Sequence, residues 1–368
     1  MAALAVTLAS AVAGAILMPQ EMERRAKAPP EPSHSPFHRR APVAAAPHAP
    51  FLRGVCWEGA GEIDSTDLDP LLRIRANWIS QTPFGWQRDF HAPEIRVAYG
   101  RPHRWGSYWG ESDDGIAETT HWAHTRGIKV LLKPHIWTRG GWSGSIAMKN
   151  EQDWAAWFAD YRDFILHYAD LAERTGADAL AIGTELGGTT TREREWRAVI
   201  AEIRRHYRGP LVYCANWAED LHQTEFWDAL DWIGVQAYYP LSKDRAPTTE
   251  QLVRGWSGPL SDLDQLSKIW AKPVVLTEVG YRSMDTAASK PWEWDSPGNL
   301  SVETQARCYE SLFQVLPEHP SVHGVFIWKW HPDYARAGGV LDKEYSPQRK
   351  PAEQVIARGY ATIEERGL

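Results

Sequence analysis

Residues 274–283 read VVLTEVGYRS, and residues 179–187 read ALAIGTELG. Each is a short apolar run that ends in Thr-Glu, one more apolar residue and Gly. A run of this length without polar alternation is the pattern of a strand covered on both faces, as in a parallel sheet. A carboxylate just behind such a run is costly to desolvate unless something pairs with it or uses it. Glu185 and Glu278 are the two residues in that position.

Outward from these stretches, six more runs recur along the chain: 51–57 (FLRGVCW), 78–82 (WISQT), 129–134 (KVLLKP), 211–213 (LVY), 232–238 (WIGVQAY) and 324–328 (GVFIW). Helical spacing fills the intervals. Between 152 and 174, Trp154, Trp157, Phe158, Tyr161, Phe164, Ile165, Tyr168 and Leu171 fall on one broad face, and Gly176 closes the helix. Trp196, Val199, Ile200 and Ile203 repeat the pattern, and 302–316 and 351–363 supply the last two helices. Eight strands alternating with helices are what a closed (β/α)₈ barrel, an α/β fold, requires. An open doubly wound sheet is the competitor, but no Gly-rich phosphate fingerprint follows the first run. The barrel is expected, as one domain over 51–368.

Two segments precede it. Residues 1–18 (MAALAVTLASAVAGAILM) are apolar and small, and Arg24, Arg25 and Lys27 follow them. Residues 1–27 read as a secretory signal or a membrane anchor, with small-residue triplets fit for cleavage but no basic stretch in front. The expected location is secreted or envelope-anchored, with a cytosolic extension as the alternative. Residues 28–50, rich in Pro, Ala and His, read as a disordered linker.

Composition narrows the partners. The net charge is −7 and no Lys/Arg run is long enough to follow a phosphate backbone, so nucleic acid is excluded. Cys56, Cys214 and Cys308 are odd in number and match no metal spacing, so they read as buried thiols. No HxH or HxxxH pair ends a strand, and Asp64, Asp67 and Asp69 lack the Gly and distal Glu of a calcium loop. No metal and no cofactor are expected. The 20 tryptophans are the strongest signal. Most belong in the core, but indole plates at a strand mouth suit the flat C–H face of a sugar.

Barrels of this class place their chemistry at the C-terminal ends of the strands. Those ends carry Trp57-Glu58, Thr82 with Trp86 beyond, Lys133 and His135 with Trp137, Thr184-Glu185, Asn216-Trp217, Tyr238-Tyr239, Thr277-Glu278 and Trp328-Lys329-Trp330. Glu58 ranks below the other two acids because it opens a Gly-rich, acidic loop where solvation is easy. Strands four and seven lie roughly across the mouth, so Glu185 and Glu278 can converge on one bond. Two carboxyls of opposite role, one protonating a departing oxygen and one attacking, are what cleavage of a glycosidic bond needs. The expected partner is a carbohydrate.

The motifs RGVCW, ISQTPFGWQ, KVLLKPHIW, AIGTEL, WIGVQAYYPL, VVLTEVGYRS, GVFIWKW and YSPQRKPAE occur in that order. The AIGTEL and LTEVGYRS stretches resemble the fourth- and seventh-strand glutamates of the retaining clan A barrel glycosidases. Residues 51–360 as a whole resemble glycoside hydrolase family 113, whose characterised members are β-mannanases. The resemblance implies Glu185 as acid/base and Glu278 as nucleophile in a retaining double displacement. It further implies a β-linked polysaccharide substrate, most simply a β-1,4-mannan; a bacterial envelope glycan, or a non-catalytic glycan-binding barrel, is the alternative. Clan members usually carry Asn before the acid/base, contacting the sugar 2-hydroxyl, where this chain has Thr184. Either Tyr238 or Tyr239 would donate to Glu278, since neighbouring strand residues face opposite ways, and either Trp328 or Trp330 would form the platform under the cleaved sugar. Trp57, Trp86, Trp137 and Trp217 are candidate subsite plates. His135 and Lys133 are candidates to bind a hydroxyl or tune a carboxylate, and Asn216 is a substrate-binding candidate.

Overall fold

The computed structural model describes residues 50–97, 108–218 and 220–367. The expected apolar segment 1–27 and nearly all of the linker 28–50 lie outside them, as does the middle of the long segment 92–114. Among the described residues no helix is long and apolar enough to cross a membrane.

Eight parallel strands close into a barrel: β1 Leu52–Trp57, β2 Trp78–Gln81, β3 Lys129–Leu132, β4 Ala179–Thr184, β5 Leu211–Asn216, β6 Trp232–Gln236, β7 Val274–Val279 and β8 Val322–Trp330. Each pairs with its sequence neighbours, and β8 closes on β1. One principal helix follows each strand: α1 Asp69–Arg73, α2 Asp113–Thr125, α3 Glu151–Thr175, α4 Glu193–His206, α5 Asp220–Gln223, α6 Thr249–Trp270, α7 Val302–Val315 and α8 Pro351–Arg366.

Local chemistry starts and stops these helices. Asn150 accepts from the Asp153 N–H to cap α3, and Gly176 ends it at φ 73, a left-handed turn that glycine enters without a Cβ clash. Thr248 and Gln251 form a reciprocal capping box on α6, and Pro351 opens α8 at its first turn. The Asp64 carboxylate does the same for the turn at Ser65–Leu68, with Asp67 answering.

Two apolar layers result. Leu52, Cys56, Trp78, Leu131, Ala179, Ala181, Val212, Cys214, Val275 and Phe326 fill the barrel interior. The outward faces of the strands pack against the helices, where Trp157, Trp196, Trp227 and Trp256 are fully buried. All three cysteines are free and buried. A small sheet beside the mouth pairs Phe84–Gln87 in parallel with His135–Thr138 and antiparallel with Ile95–Arg96.

Two strands break the alternation where it counts. In β4, Ala181 pairs with Val212, but Gly183 pairs with Tyr213 and Thr184 with Cys214. One extra residue sits between, a β-bulge that turns Thr184 inward. In β7, Leu276 pairs with Val235 and Glu278 with Gln236, so a second bulge at Thr277 carries Glu278 into the barrel mouth.

Candidate active site

Both bulged ends deliver a glutamate. Glu278, 4% exposed, receives the Lys133 ammonium on Oε1 at 2.5 Å and the Tyr238 hydroxyl on Oε2 at 2.7 Å. Lys133 reaches it across the barrel interior from the end of β3, and also contacts the Thr277 carbonyl at 3.3 Å and the Cys56 sulfur at 3.8 Å. Burial alone would raise the pKa of Glu278. The Lys133 charge, His135 and the two hydrogen bonds outweigh it and hold the carboxyl below its ordinary value. Burial would likewise strip Lys133 of its proton, but its anionic surroundings hold it charged. The Cys56 thiol is pushed up to about 12 by burial, so Glu278 is the anion that does this near neutrality.

Glu185 meets a different environment. Its Oε2 accepts from the Trp142 indole at 3.0 Å and its Oε1 from the Asn216 amide at 2.8 Å. Burial and the nearby charge of Glu278 raise its pKa to about 7, against the pull of those two neutral donors. Its backbone sits at φ 50, the left-handed region that costs an L-residue roughly 1–2 kcal/mol. The conformation is held on every side: its N–H donates to the Cys214 carbonyl at 2.9 Å and its carbonyl accepts from the Ser143 hydroxyl at 3.2 Å. Arg75, Ala246, Ala271 and Arg349 share this region, so the strain draws its meaning here from the buried carboxylate it positions.

The other expected residues divide sharply. Tyr238 takes the role left open between it and its neighbour. Tyr239 is buried against Trp217 and Trp256 and donates nothing to Glu278, a correction to its candidacy. Trp328 is half-buried at the interior side, with the Lys133 ammonium 5.8 Å and the Lys329 ammonium 5.6 Å from its ring. Trp330 is fully buried and stacked on Tyr334, and Trp57, its neighbour in register on β1, is 3% exposed. Both Trp330 and Trp57 face the helix layer, so neither can be a sugar plate. Trp328 and Trp330 would share a face under strict alternation, but β8 carries one extra residue between Ile327 and Trp330, opposite Val55 and Trp57, and this turns Trp330 outward.

Trp86 and Trp137 stand beside one another on the small sheet, ring centres 4.8 Å apart, and Trp137 is 44% exposed. Phe84 and His135, paired in the same sheet, continue that face toward Glu278. His135 Nε2 lies 3.9 Å from Glu278 Oε1, buried and without a hydrogen-bond partner among the described residues. Burial and Lys133 hold this ring neutral, with a pKa of about 3. Trp217 packs on Trp292 at 5.5 Å, on the far side of the mouth. Thr184 is buried at the rim, inward because of the bulge.

Glu58, ranked lower from the sequence, is bound by Lys329 and His331. Burial opposes its ionisation, but those two partners hold it below the ordinary range. Trp142 is the contact that sequence reasoning missed, for it lies in a loop after β3 with no periodicity to mark it. Among the described residues no group of three or more His, Cys, Asp or Glu side chains could hold a metal ion. A separate groove of about 580 Å³ lies between α1 and α8, where Tyr334 bonds Glu353 and carries the Arg73 guanidinium on its face.

This arrangement sets an ionised carboxylate and a proton-retaining one at the same rim, with aromatic plates on either side. Solved structures resemble the chain over most of its length. A family 113 β-mannanase from Alicyclobacillus acidocaldarius is 31% identical, with a TM-score of 0.72 over 86% of this chain and 98% of that one. A second family 113 β-1,4-mannanase is 27% identical, with a TM-score of 0.73 over 85% of this chain and all of the other. A family 5 mannosidase from Rhizomucor miehei, at 11% identity and a TM-score of 0.59 over 87% and 95%, shares the fold. No curated protein matches the chain. The family model of glycoside hydrolase family 113 matches residues 57–350. The chain is a glycoside hydrolase and belongs to family 113.

Proposed function

We propose that this enzyme hydrolyses β-1,4-linked mannan or manno-oligosaccharides with retention of anomeric configuration. Glu278 attacks the anomeric carbon while Glu185 delivers its proton to the departing glycosidic oxygen. The covalent glycosyl-enzyme removes the Glu278 charge, so Glu185, now ionised, takes a proton from the water that attacks next. Retention requires the two carboxyl groups to stand about 5–5.5 Å apart, too close for an inverting water.

The observation that carries the reading is the unequal proton affinity of the two glutamates. Lys133 and Tyr238 keep Glu278 ionised, as a nucleophile must be, while burial raises Glu185 to about 7, as a general acid must arrive protonated. Trp328 supplies the plate under the cleaved sugar, and the unpartnered ring nitrogen of His135 is left for a sugar hydroxyl. The mannan assignment follows the two family 113 relatives, both β-mannanases. The apolar residues 1–18 fit export or anchoring in the envelope, which would bring the enzyme to an external polymer.

The test is hydrolysis of β-1,4-mannan and manno-oligosaccharides by the wild type, Glu278→Ala and Glu185→Ala, with the first-formed anomer read by NMR. A β-configured product from the wild type and none from Glu278→Ala are expected. An α-configured first product, or equal sugar release by wild type and Glu278→Ala, contradicts the proposal.

A further inference from the structure

Behind Glu185 lies a carboxyl group that the double displacement does not use. Asp220, the first residue of α5, is fully buried. Its Oδ1 accepts from the Asn216 backbone N–H and its Oδ2 from the Tyr213 hydroxyl, both at 2.5 Å. Tyr213 in turn accepts from the Leu186 N–H at 2.9 Å. Asn216 is the residue whose side chain holds Glu185 Oε1, and Leu186 is the residue directly after Glu185. One carboxyl therefore braces Glu185 along two separate routes, through its side-chain donor and through its backbone. Gly187 makes the approach possible, since a Cβ there would lie 3.2 Å from that of Asp220.

The geometry points to Asp220 as a positioning residue that holds the acid/base Glu185 on the line of the departing oxygen. This rests on Glu185 being the acid/base. The need for such a brace is physical: Glu185 sits in a left-handed backbone conformation and has no charged partner, so its aim depends on what fixes Asn216 and Leu186. The ionisable groups facing Asp220 are Tyr213 on β5, with Tyr161 of α3 behind it, and Glu185 on β4. Burial first, and then the charge of Glu185, raise the Asp220 carboxyl to about 8.

A misaligned acid hurts only reactions that need one. Departure of a sugar alkoxide requires protonation; departure of 2,4-dinitrophenolate does not. We would measure kcat/KM for Asp220→Ala, Asp220→Asn and Glu185→Ala on a manno-oligosaccharide and on 2,4-dinitrophenyl β-mannoside, with Tm alongside. For Asp220→Ala a loss of about 10²-fold is expected on the oligosaccharide and less than about threefold on the aryl glycoside. Asp220→Asn, which keeps one acceptor and the shape, should lose only about 3–10-fold, again on the oligosaccharide alone. Equal losses on both substrates at unchanged Tm, or none on either, overturn the inference. Should the alanine variant fail to fold, the asparagine variant decides by the same comparison. Glu185→Ala separates the two layers: if it loses equally on both substrates, the acid/base reading itself falls, and the inference with it.

Discussion

At the end of β7, Glu278 is sealed against a lysine ammonium and a tyrosine hydroxyl. At the end of β4, Glu185 is half-buried and meets only an indole and an amide. The local sequences are nearly the same, Thr-Glu-Val-Gly against Thr-Glu-Leu-Gly. Opposite proton affinities arise because desolvation acts on both groups, and only Glu278 has a cation in direct contact to offset it; Lys133 acts on Glu185 from farther off and least among its causes. Role in such a pair is set by neighbours from other strands, chiefly Lys133 at the end of β3, and not by the segment that carries the acid.

The comparison can be broken hardest at Lys133. Lys133→Met leaves Glu278 buried without its counter-ion, a change that costs about 3–5 kcal/mol in such pairs. Glu278 would then bind a proton at higher pH, so the acidic limb of kcat/KM should move up and the rate near pH 6 should drop about 10³-fold. Tyr238→Phe removes one hydrogen bond to the same ionised group, worth about 1.5–3 kcal/mol. Its expected loss is about 10–100-fold, with a smaller upward movement of the acidic limb.

Changes on the β4 side should act on the opposite limb. The Trp142 indole favours the ionised form of Glu185, so Trp142→Phe raises its pKa further. The basic limb, expected near pH 7 in the wild type, should then move up, and kcat/KM should fall about fivefold, the scale of one neutral hydrogen bond. Least of all should move with Trp330→Phe, because Trp330 lies in the helix layer. A stability loss of about 0.5–3 kcal/mol, visible in Tm, with kcat/KM within about twofold is expected. A large kinetic effect there would put Trp330, not Trp328, under the sugar.

Much of this was legible in the sequence. The eight apolar runs, the glycines that close helices and the two Thr-Glu ends all follow from period and burial, and the barrel follows from them. The glutamates were legible as acids at strand ends, but not how they come to face inward. Strict alternation counted from Leu276 would turn Glu278 toward the helices, and the bulge that reverses this has no side-chain signature. Alternation separates Tyr238 from Tyr239 once one inward residue is known, but Trp328 and Trp330, two apart, would share a face, and only the register shift at the end of β8 parts them. Trp142 and Asp220 were invisible for another reason. Each acts through a contact 43 or 4–7 residues away whose existence depends on a loop or a four-residue helix, neither of which leaves a periodic trace.

The claim beneath all of this is that two similar glutamates hold their protons differently in one cavity. ¹³C NMR titration of carboxyl-labelled glutamate, assigned by comparison with Glu185→Gln and Glu278→Gln, reads both groups directly. The account predicts that the Glu185 signal titrates near 7 while that of Glu278 stays ionised to below the usual carboxylate range. Two signals titrating together near 4.3, the ordinary glutamate value, or Glu278 holding its proton longer than Glu185, would contradict it.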